Sequence, residues 1–339
     1  MKKDIIKDVR PAHALPGAEV EILTDGFAAV PGGSSCLFSG INADIVAASS
    51  RRVLAIVPDA AIGTEEIQLE SEGVISDPFT IEVGRLIADD LHIVANPAAD
   101  PKNSTLVTTR SGSRGMTLEN TLYRINPEDD LVIEMPASVK NPTGIAFSPK
   151  GELYVTNRAD GTVCFIEDDE DVAVYASGLG IATGLAFDAD GIMYVGDRSG
   201  RIYRVREFGR VSELASIEPS VAAYHIAFGP DGRLYASAPG LSSHDGIYAI
   251  DMDGNVETYC RGFGRPQGLA FDTEGNLYLA ASYQGRRGIF KITPDREISM
   301  LIAGNSIVGM CFGRNGKLYV ATGNSVYVFE IGVSGLLLN

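Results

Sequence analysis

Residues 5–84 alternate apolar and polar side chains over short segments, which turn-forming residues separate. Residues 20–23 and 66–70 each place every second side chain on one face, which is typical of half-buried strands. No stretch of this region keeps apolar residues at helical spacing over several turns. The pattern therefore predicts about seven short strands that form a small β-sandwich over residues 1–85.

Residues 88–339 contain three columns of residues that recur in step. Phenylalanines that end a Gly-Leu-Ala-Phe-like motif are 40, 41, 43 and 41 residues apart, and a tyrosine column and a glycine column keep the same intervals. The columns are Phe147, Phe187, Phe228, Phe271 and Phe312; Tyr154, Tyr194, Tyr235, Tyr278 and Tyr319; and Gly151, Gly191, Gly232, Gly275 and Gly316. A period of about 40 residues with four short strands per unit predicts propeller blades, whose cores hold the phenylalanines and tyrosines.

A degenerate unit precedes these five, because residues 104–110 align with residues 152–158. We therefore predict six blades, near residues 88–140, 141–180, 181–221, 222–264, 265–305 and 306–339. The predicted fold class is all-β, a small β-sandwich followed by a six-bladed β-propeller. Two segments are candidates for the outer strand that closes the last blade, residues 335–338 and a strand near Leu86.

Strand and turn residues of the N-terminal segment follow the order Val9-x-Pro11, residues 16–22, Gly26-Phe27, Val57-Pro58, Gly63 and residues 79–81. This order resembles an IPT/TIG domain, which has an immunoglobulin-like fold. Transcription factors of that family grip DNA with basic loops, whereas residues 1–85 hold 7 basic and 13 acidic side chains. The resemblance therefore implies a spacer, a dimerising role or docking to a protein partner.

The propeller repeat reads Gly-Leu-Ala-Phe-Asp-x-x-Gly-x-Leu-Tyr-Val, and it resembles NHL repeats and the gluconolactonase/regucalcin family of six-bladed propellers. In that family a divalent metal at the channel mouth polarises a lactone carbonyl while a base activates water. Its ligands include an Asn and an Asp directly before the motif glycine and a Glu from the first blade. The corresponding residues here are His92 in the first blade, then Thr143, Thr183, Tyr224, Gln267 and Val308. Hard cations prefer carboxylate oxygens, so we expect neither a bound metal nor another cofactor.

Three arginines occupy one register of consecutive blades, four positions after the tyrosine column: Arg110, Arg158 and Arg198. Arg114 lies in the first-blade loop, and Arg286 lies in a loop of the fifth blade. Guanidinium groups match carboxylates and phosphates, so these residues predict an anionic ligand at the channel mouth, together with Thr143, Thr183 and Gln267. The alternative is that the arginines tie each blade to its neighbour's backbone or to Asp160, Asp197 or Asp245.

The fourth blade departs from the repeat at His225, which replaces the motif glycine. Histidine is the usual general base near neutral pH. We therefore predict that His225 and Tyr224, with His92 from the first blade, are catalytic, and that His244 in the next loop binds the ligand. The alternative is that His225 is a structural core residue and that His244 is an ordinary loop residue.

Two functions remain open for the propeller. One is a hydrolase of small anionic lactones or esters, or a lyase, that works at the channel mouth without the usual metal. The other is a non-catalytic propeller that binds an anionic small molecule or a protein partner. Beside these two functions of the propeller, the whole chain could be a scaffold that docks a protein through the N-terminal domain. The sequence has no Gly-x-Ser-x-Gly elbow, P-loop or dinucleotide fingerprint.

The net charge of the chain makes some classes of binding partner unfavourable. The chain has 28 Lys and Arg against 44 Asp and Glu, a net charge of −16. This charge repels phosphate backbones and anionic lipids, so nucleic acid and membranes are not expected partners. Near the start, Asp4, Lys7 and Asp8 interrupt any apolar signal segment, and the four cysteines form no Cys-x-x-Cys pair. We therefore expect reduced thiols and a cytoplasmic protein.

Overall fold

The computed structural model describes residues 2–111, 118, 121–241 and 244–337. These residues form 35 β-strands and one 3-10 turn, η1 (Glu207–Gly209), and they contain no α-helix. The expectation of a nearly all-β chain is confirmed. No helix in this part of the chain is long and apolar enough to cross a membrane.

The chain divides into two compact units. The first comprises Met1–Leu86, Arg286–Phe290 and Ser299–Ser306. The second comprises Ile87–Gly285, Lys291–Ile298 and Ile307–Asn339. Two short segments from late in the chain thus belong to the N-terminal unit, which the repeat pattern alone does not indicate.

The first unit consists of two sheets around one core. One sheet has the order β2-β4-β8-β7, and the other contains β1-β10-β9-β11-β3, with β5 beside β9 and β6 beside β5. Val20 and Ile22 of β4 are fully buried and meet Ile67 and Leu69 of β9 in this core, which explains the alternation in the sequence. The strands are β1 (Lys2–Lys3), β2 (Ile6–Arg10), β3 (His13–Ala14), β4 (Glu19–Thr24), β5 (Ser34–Phe38), β6 (Ile41–Ala43), β7 (Ile45–Ala48), β8 (Arg52–Ile56), β9 (Gly63–Ser71), β10 (Val74–Ser76) and β11 (Phe79–Val83).

The second unit repeats antiparallel four-stranded sheets in chain order: β13 to β16, β17 to β20, β21 to β24 and β25 to β28. Strand β29 then pairs with β30. Most of β31 and β32 belongs to the first unit. The strands after β11 are β12 (Arg85–Ala88), β13 (Ala98–Ala99), β14 (Leu106–Thr109), β15 (Leu122–Asn126), β16 (Leu131–Glu134), β17 (Pro142–Phe147), β18 (Leu153–Asn157), β19 (Thr162–Glu167), β20 (Asp171–Ala176), β21 (Ala182–Phe187), β22 (Met193–Asp197), β23 (Arg201–Arg206), β24 (Arg210–Ser216), β25 (His225–Phe228), β26 (Leu234–Ser237), β27 (Asp245–Ile250), β28 (Val256–Phe263), β29 (Leu269–Phe271), β30 (Leu277–Tyr283), β31 (Arg286–Ile292), β32 (Ile298–Ala303), β33 (Ile307–Phe312), β34 (Leu318–Thr322) and β35 (Val326–Phe329).

Strand β12 completes the last sheet, whose order is β12-β35-β34-β33. Ile87 and Ala88 of β12 pack with Val326 and Val328 of β35 in one apolar cluster. Of the two candidate closing segments, the structure selects the strand near Leu86. Gly335, in the other candidate, instead forms an isolated antiparallel bridge with Asp272.

The phenylalanine and tyrosine columns meet between successive sheets. Four of the five phenylalanines pack on the tyrosine of the preceding sheet, with ring centroids 4.7 to 5.3 Å apart. The pairs are Tyr154–Phe187, Tyr194–Phe228, Tyr235–Phe271 and Tyr278–Phe312. Such tilted and edge-on contacts are favourable for aromatic rings. The prediction that these residues are core residues is confirmed for these four pairs.

Candidate functional site

The register of the first sheet decides which residues surround the channel. In the second sheet Ala146 pairs with Tyr154 of the tyrosine column. In the first sheet Ala99 pairs with Leu106, which takes the place of that tyrosine in the aligned repeat. Thr143 stands three positions before Ala146. The residue that stands three positions before Ala99 is therefore the first-sheet equivalent of Thr143.

By this count the equivalent is Asn96 instead of the expected His92. His92 lies four residues earlier, exposed between the buried Leu91 and Ile93, and its carbonyl accepts a 3.5 Å hydrogen bond from the Ser111 amide. Asn96 is held on both sides: its Oδ1 accepts from the Met310 amide at 3.1 Å, and its Nδ2 donates to the Leu269 carbonyl at 3.3 Å. The sequence pattern does not identify this position, because β13 has only two residues and lacks the repeat motif.

Thr183 and Tyr224 are occupied by structural hydrogen bonds. The Thr183 hydroxyl donates to the Gly196 carbonyl at 3.2 Å and accepts from the Tyr224 amide at 3.0 Å. The Tyr224 hydroxyl donates to the Glu218 carbonyl, and burial is the main cause that raises the pKa of this phenol. Both side chains are 1% exposed. The expectations that Thr183 binds a ligand and that Tyr224 is catalytic therefore do not fit this structure.

His225 is enclosed instead of lining an open mouth. Its side chain is buried, and its Nε2 has no hydrogen-bond partner among the described residues. Burial lowers the pKa of His225 to about 4, although a hydrogen bond with the Gln267 side chain acts in the opposite direction. The imidazole is therefore neutral at pH 7 and is out of reach of a substrate in this conformation. The hydroxyl of Thr143, which is also buried, likewise has no partner within the described part of the chain.

His244 and Asp245, which follow β26 in the chain, lie in surroundings different from those of His225. His244 is exposed, whereas His225 is buried. The Asp245 carboxylate accepts a hydrogen bond from the Arg265 amide at 3.3 Å, which ties it to the following loop. Gln267 is half-buried and is the only one of the expected ligand-binding residues for which we find an interaction with His225 in the described ranges.

Arg158 and Arg198, together with Ser111, form a polar cluster that we call the arginine rim. Both are half-buried. Arg158 Nη2 donates to Ser111 Oγ at 3.0 Å, and Arg198 Nη2 donates to the Val221 carbonyl at 2.5 Å. Burial and then the charge of Arg198 lower the pKa of Arg158. No carboxylate within the described ranges lies within ion-pair distance of either guanidinium.

Two of the three arginines do play the alternative role, which is to tie neighbouring elements of the fold together. Arg158 reaches Ser111 of the first repeat unit, and Arg198 reaches the segment between β24 and β25, so both tie neighbouring elements. Asp197 does not neutralise them, because its carboxylate accepts from the Ile181 amide at 2.8 Å and from the Ser199 hydroxyl. Arg110 differs from both, because it donates to Tyr123 of its own sheet at 3.0 Å, a bond that raises the pKa of Arg110.

Two further arginines are not part of the rim. Arg286 belongs to the first unit, where it donates to the Arg10 carbonyl at 2.8 Å and lies 3.6 Å from the Glu21 carboxylate. The expectation that Arg286 binds the ligand at the channel mouth is therefore not supported by its contacts. Arg114 lies outside the described residues.

The donor set around the channel is unsuited to a hard cation. The positions before the motif glycine hold amide, hydroxyl, phenol and aliphatic side chains, namely Asn96, Thr143, Thr183, Tyr224, Gln267 and Val308. Within the described residues no three His, Cys, Asp or Glu side chains are grouped so that they could hold a metal ion.

A cavity of about 210 Å³ lies along the first strands of the repeat units. Successive Ala-Phe pairs of the repeat form much of its wall, with Leu336 and Leu337 of the C-terminal segment also against it. The cavity is mostly apolar, and nothing in the sequence columns distinguishes it from packed core.

No protein-family model matches the chain, and no curated protein matches it. Solved structures do resemble it. An auxiliary nutrient binding protein from Bacteroides thetaiotaomicron is 14% identical, with a TM-score of 0.57 over 97% of this chain and 98% of that chain. A gluconolactonase from Xanthomonas campestris is 17% identical, with a TM-score of 0.60 over 74% and 88%. A streptogramin B lyase is 15% identical, with a TM-score of 0.52 over 88% and 97%. Identities this low establish the fold alone, and the chain therefore has a β-propeller fold similar to that of gluconolactonase and streptogramin B lyase.

Proposed function

We propose that this protein binds a small anionic molecule at the arginine rim. The observation that carries the proposal is the neighbouring pair of half-buried guanidiniums, Arg158 and Arg198, which no described carboxylate neutralises. Two like charges in a partly desolvated place repel each other. A bound anion would turn this repulsion into attraction to a shared partner.

The remaining donors define the class of anion. A guanidinium has five N–H donors, and the described contacts use one on Arg158 and one on Arg198. The Arg198 Nε is buried without a partner in the described part of the chain. Planar forks of this kind suit a carboxylate or a phosphate. We therefore propose a small carboxylated or phosphorylated ligand, with the Ser111 hydroxyl as an additional polar contact.

The finer architecture is part of the same proposal. Four complete sheets, the β29–β30 pair and the closing sheet with β12 support six blades. The two sheets around one core support an IPT/TIG-like N-terminal domain, which we propose as a docking site for a protein partner. The four cysteines are unpaired, which supports the proposed cytoplasmic location.

Hydrolysis of a small anionic lactone or ester is the second candidate. The similarity in fold to a gluconolactonase and the unpartnered Nε2 of His225 favour it. The burial of His225 opposes it, because a general base must come within hydrogen-bond reach of the water that it activates. Turnover of a lactone and ester panel, with and without divalent metals, tests this candidate. Turnover that His225→Gln abolishes would favour hydrolysis over binding alone.

Thermal unfolding with a series of anions tests the binding proposal. Succinate, citrate, a sugar phosphate and a sugar acid are added to the wild type, to Arg158→Gln and to Arg198→Gln. We expect at least one anion to raise the wild-type melting temperature, and either substitution to weaken that binding by about 2–5 kcal/mol. Arg233→Gln is the matched control and keeps the shift, because Arg233 is half-buried like the rim arginines but is paired with Asp231 and Glu257. If no anion shifts the wild type, the arginines are structural.

A further inference from the structure

The apolar cavity of about 210 Å³ lies at the end of the first strands that is farther from the arginine rim. The last three residues of β17, β21, β25, β29 and β33 line it. The Arg158 amide, in contrast, donates to the carbonyl of Asn141, the residue before β17. Strand residues advance about 3.3 Å each, so roughly 13–20 Å of β17 separates Asn141 from Ile145–Phe147 at the cavity. The cavity and the arginine rim are therefore two separate places.

The cavity has aromatic walls and small side chains between them. The residue before each phenylalanine of the column is small, which leaves space next to the rings. The lining pairs are Ala146-Phe147, Ala186-Phe187, Ala227-Phe228, Ala270-Phe271 and Cys311-Phe312. Aromatic rings make favourable offset and edge-on contacts with other rings. These walls therefore suit a flat aromatic molecule.

Charge inside the cavity is already neutralised. Among the described lining residues only Asp100 and Arg314 are charged. The Asp100 carboxylate accepts from Arg124 at 2.7 Å, and its side chain is 6% exposed. Arg314 is exposed, which places its charge at the opening and not in the interior. Burying a charged molecule without a partner costs its hydration, so the interior favours a neutral one.

Both ends of the cavity are covered. Towards the motif glycines stands Asn96, whose Oδ1 would be 2.0 Å from a Cβ added to Gly268. At the other end the C-terminal segment crosses the channel, where the Leu336 amide donates to the Phe271 carbonyl at 2.8 Å. Leu336 and Leu337 are half-buried and line the cavity from this side. A molecule between the two ends would be largely withdrawn from water.

Backbone groups also face the cavity. Three consecutive residues of each first strand line it, so the strand edge faces it as well as side chains, since alternate side chains point to opposite faces. In the described part of the chain no strand pairs with the free edges of β17, β21 and β25. On β29 the Leu269 carbonyl accepts from Asn96 Nδ2 at 3.3 Å, which shows that edge groups bond to what lies in the channel. A ligand with one polar group therefore finds a backbone partner here.

We propose that this cavity binds a neutral aromatic molecule of about the size of indole that carries one hydrogen-bond donor. An apolar cavity of about 150 Å³ holds benzene. The larger volume of about 210 Å³ accommodates a ring system with a few more atoms. The phenylalanines contact the flat ring, and a carbonyl on a free strand edge accepts from its N–H.

Indole fluorescence tests the proposal, because the protein has no tryptophan. Excited at wavelengths that tyrosine does not absorb, indole reports only its own surroundings, and its emission moves to shorter wavelengths in an apolar site. We expect a saturable shift with about one indole bound per chain. We expect 1-methylindole, which lacks the N–H donor, to bind at least about threefold more weakly.

Two substitutions change the cavity itself. Ala227 is half-buried and lines the cavity, so Ala227→Leu fills part of it and weakens indole binding at least about tenfold. Leu337→Ser, close to the C-terminus, removes part of the apolar wall and weakens binding at least about threefold. Ala189→Leu is the matched control, because it adds the same side chain on an exposed turn outside the cavity and leaves indole binding unchanged.

Thermal unfolding of each variant accompanies the titrations. A variant that loses indole but melts like the wild type has lost the site and not the fold. The proposal is overturned if the wild type gives no saturable shift, if 1-methylindole binds as tightly as indole, or if either variant of the cavity, once shown to be folded, binds indole like the wild type. None of these results depends on whether an anion binds the arginine rim, so this proposal and the proposed function stand or fall separately.

Discussion

Arg158 and Arg198 lie close enough for the charge on Arg198 to lower the pKa of Arg158. The two residues occupy the same register of consecutive sheets, so the repeat itself brings them together. Each guanidinium is also tethered, Arg158 to Ser111 and Arg198 to the Val221 carbonyl. The pair therefore holds its charges in place, although they repel each other.

This repulsion is measurable by a double-mutant cycle without any ligand. We expect Arg158→Gln to lower the free energy of unfolding less in the wild type than in an Arg198→Gln background, by about 0.5–1 kcal/mol. The reason is that the substitution relieves repulsion only when Arg198 is present. Urea unfolding of the four proteins at low ionic strength gives this difference, and concentrated NaCl removes it. An equal effect in both backgrounds contradicts the proximity of the two charges.

His225 makes stability depend on pH. Burial lowers its pKa from 6.5 to about 4 in the folded protein. Between these values the unfolded chain binds a proton that the folded chain does not, so stability falls as pH decreases from 6.5 towards 4. From about pH 7.5 to about pH 5.5 we expect His225→Gln to lose about 1 kcal/mol less stability than the wild type. Urea unfolding at the two pH values, both above the isoelectric point near 4.7, provides the test.

Carboxylates titrate in both of these proteins, so the comparison between variant and wild type isolates the histidine. Parallel pH profiles would mean that His225 is hydrated or partnered in solution.

Arg124 is expected to be the costliest arginine to remove. It donates to Asp169 at 2.6 and 2.7 Å and to Asp100 at 2.7 Å, and the side chains of Arg124 and Asp100 are only 16% and 6% exposed. Arg124→Met leaves the Asp100 charge buried, so we expect a loss of about 3–5 kcal/mol. The double variant Arg124→Met/Asp100→Asn recovers part of this loss. Equilibrium unfolding in urea measures both values.

The matched control is Arg201→Met. Arg201 lies 3.9 Å from Glu213, and both side chains are more than half exposed, at 58% and 51%. An exposed pair of this kind is worth about 0–1 kcal/mol. Similar losses for Arg124→Met and Arg201→Met would show that the Arg124 cluster is open to solvent.

The motif glycines mark places where adjacent strands approach too closely for a side chain. A Cβ added to Gly268 would lie 2.0 Å from Asn96 Oδ1 and 2.5 Å from the Gly309 Cα. Gly268→Ala should therefore destabilise the fold by about 1–3 kcal/mol, through displacement of Asn96. Gly323→Ala is the control, because nothing lies within 4 Å of its added Cβ. Thermal unfolding that ranks the two variants equally would contradict the close approach.

The repeated columns were sufficient to predict a nearly all-β chain whose repeat units contain four short strands. A glycine turn between two alternating strands specifies a hairpin locally. Because the unit recurs, the phenylalanine of one unit comes to pack on the tyrosine of the preceding unit. The arginine register could also be read directly, since equivalent positions of successive sheets face the same end. These features depend on the spacing of residues along the chain, which the sequence contains in full.

Burial and hydrogen-bond partners depended on residues far away in the chain. Asn96 occupies the channel position expected for His92, because its amide bonds Leu269 and Met310, more than 170 positions later. The residue types of Tyr224 and His225 suggested a catalytic role. Both side chains are buried, and this environment does not favour that role. The closing strand β12 pairs with β35 at the other end of the chain. A sequence states which groups are present, but the dielectric around each group and its partner at 3 Å are set only when distant segments pack together.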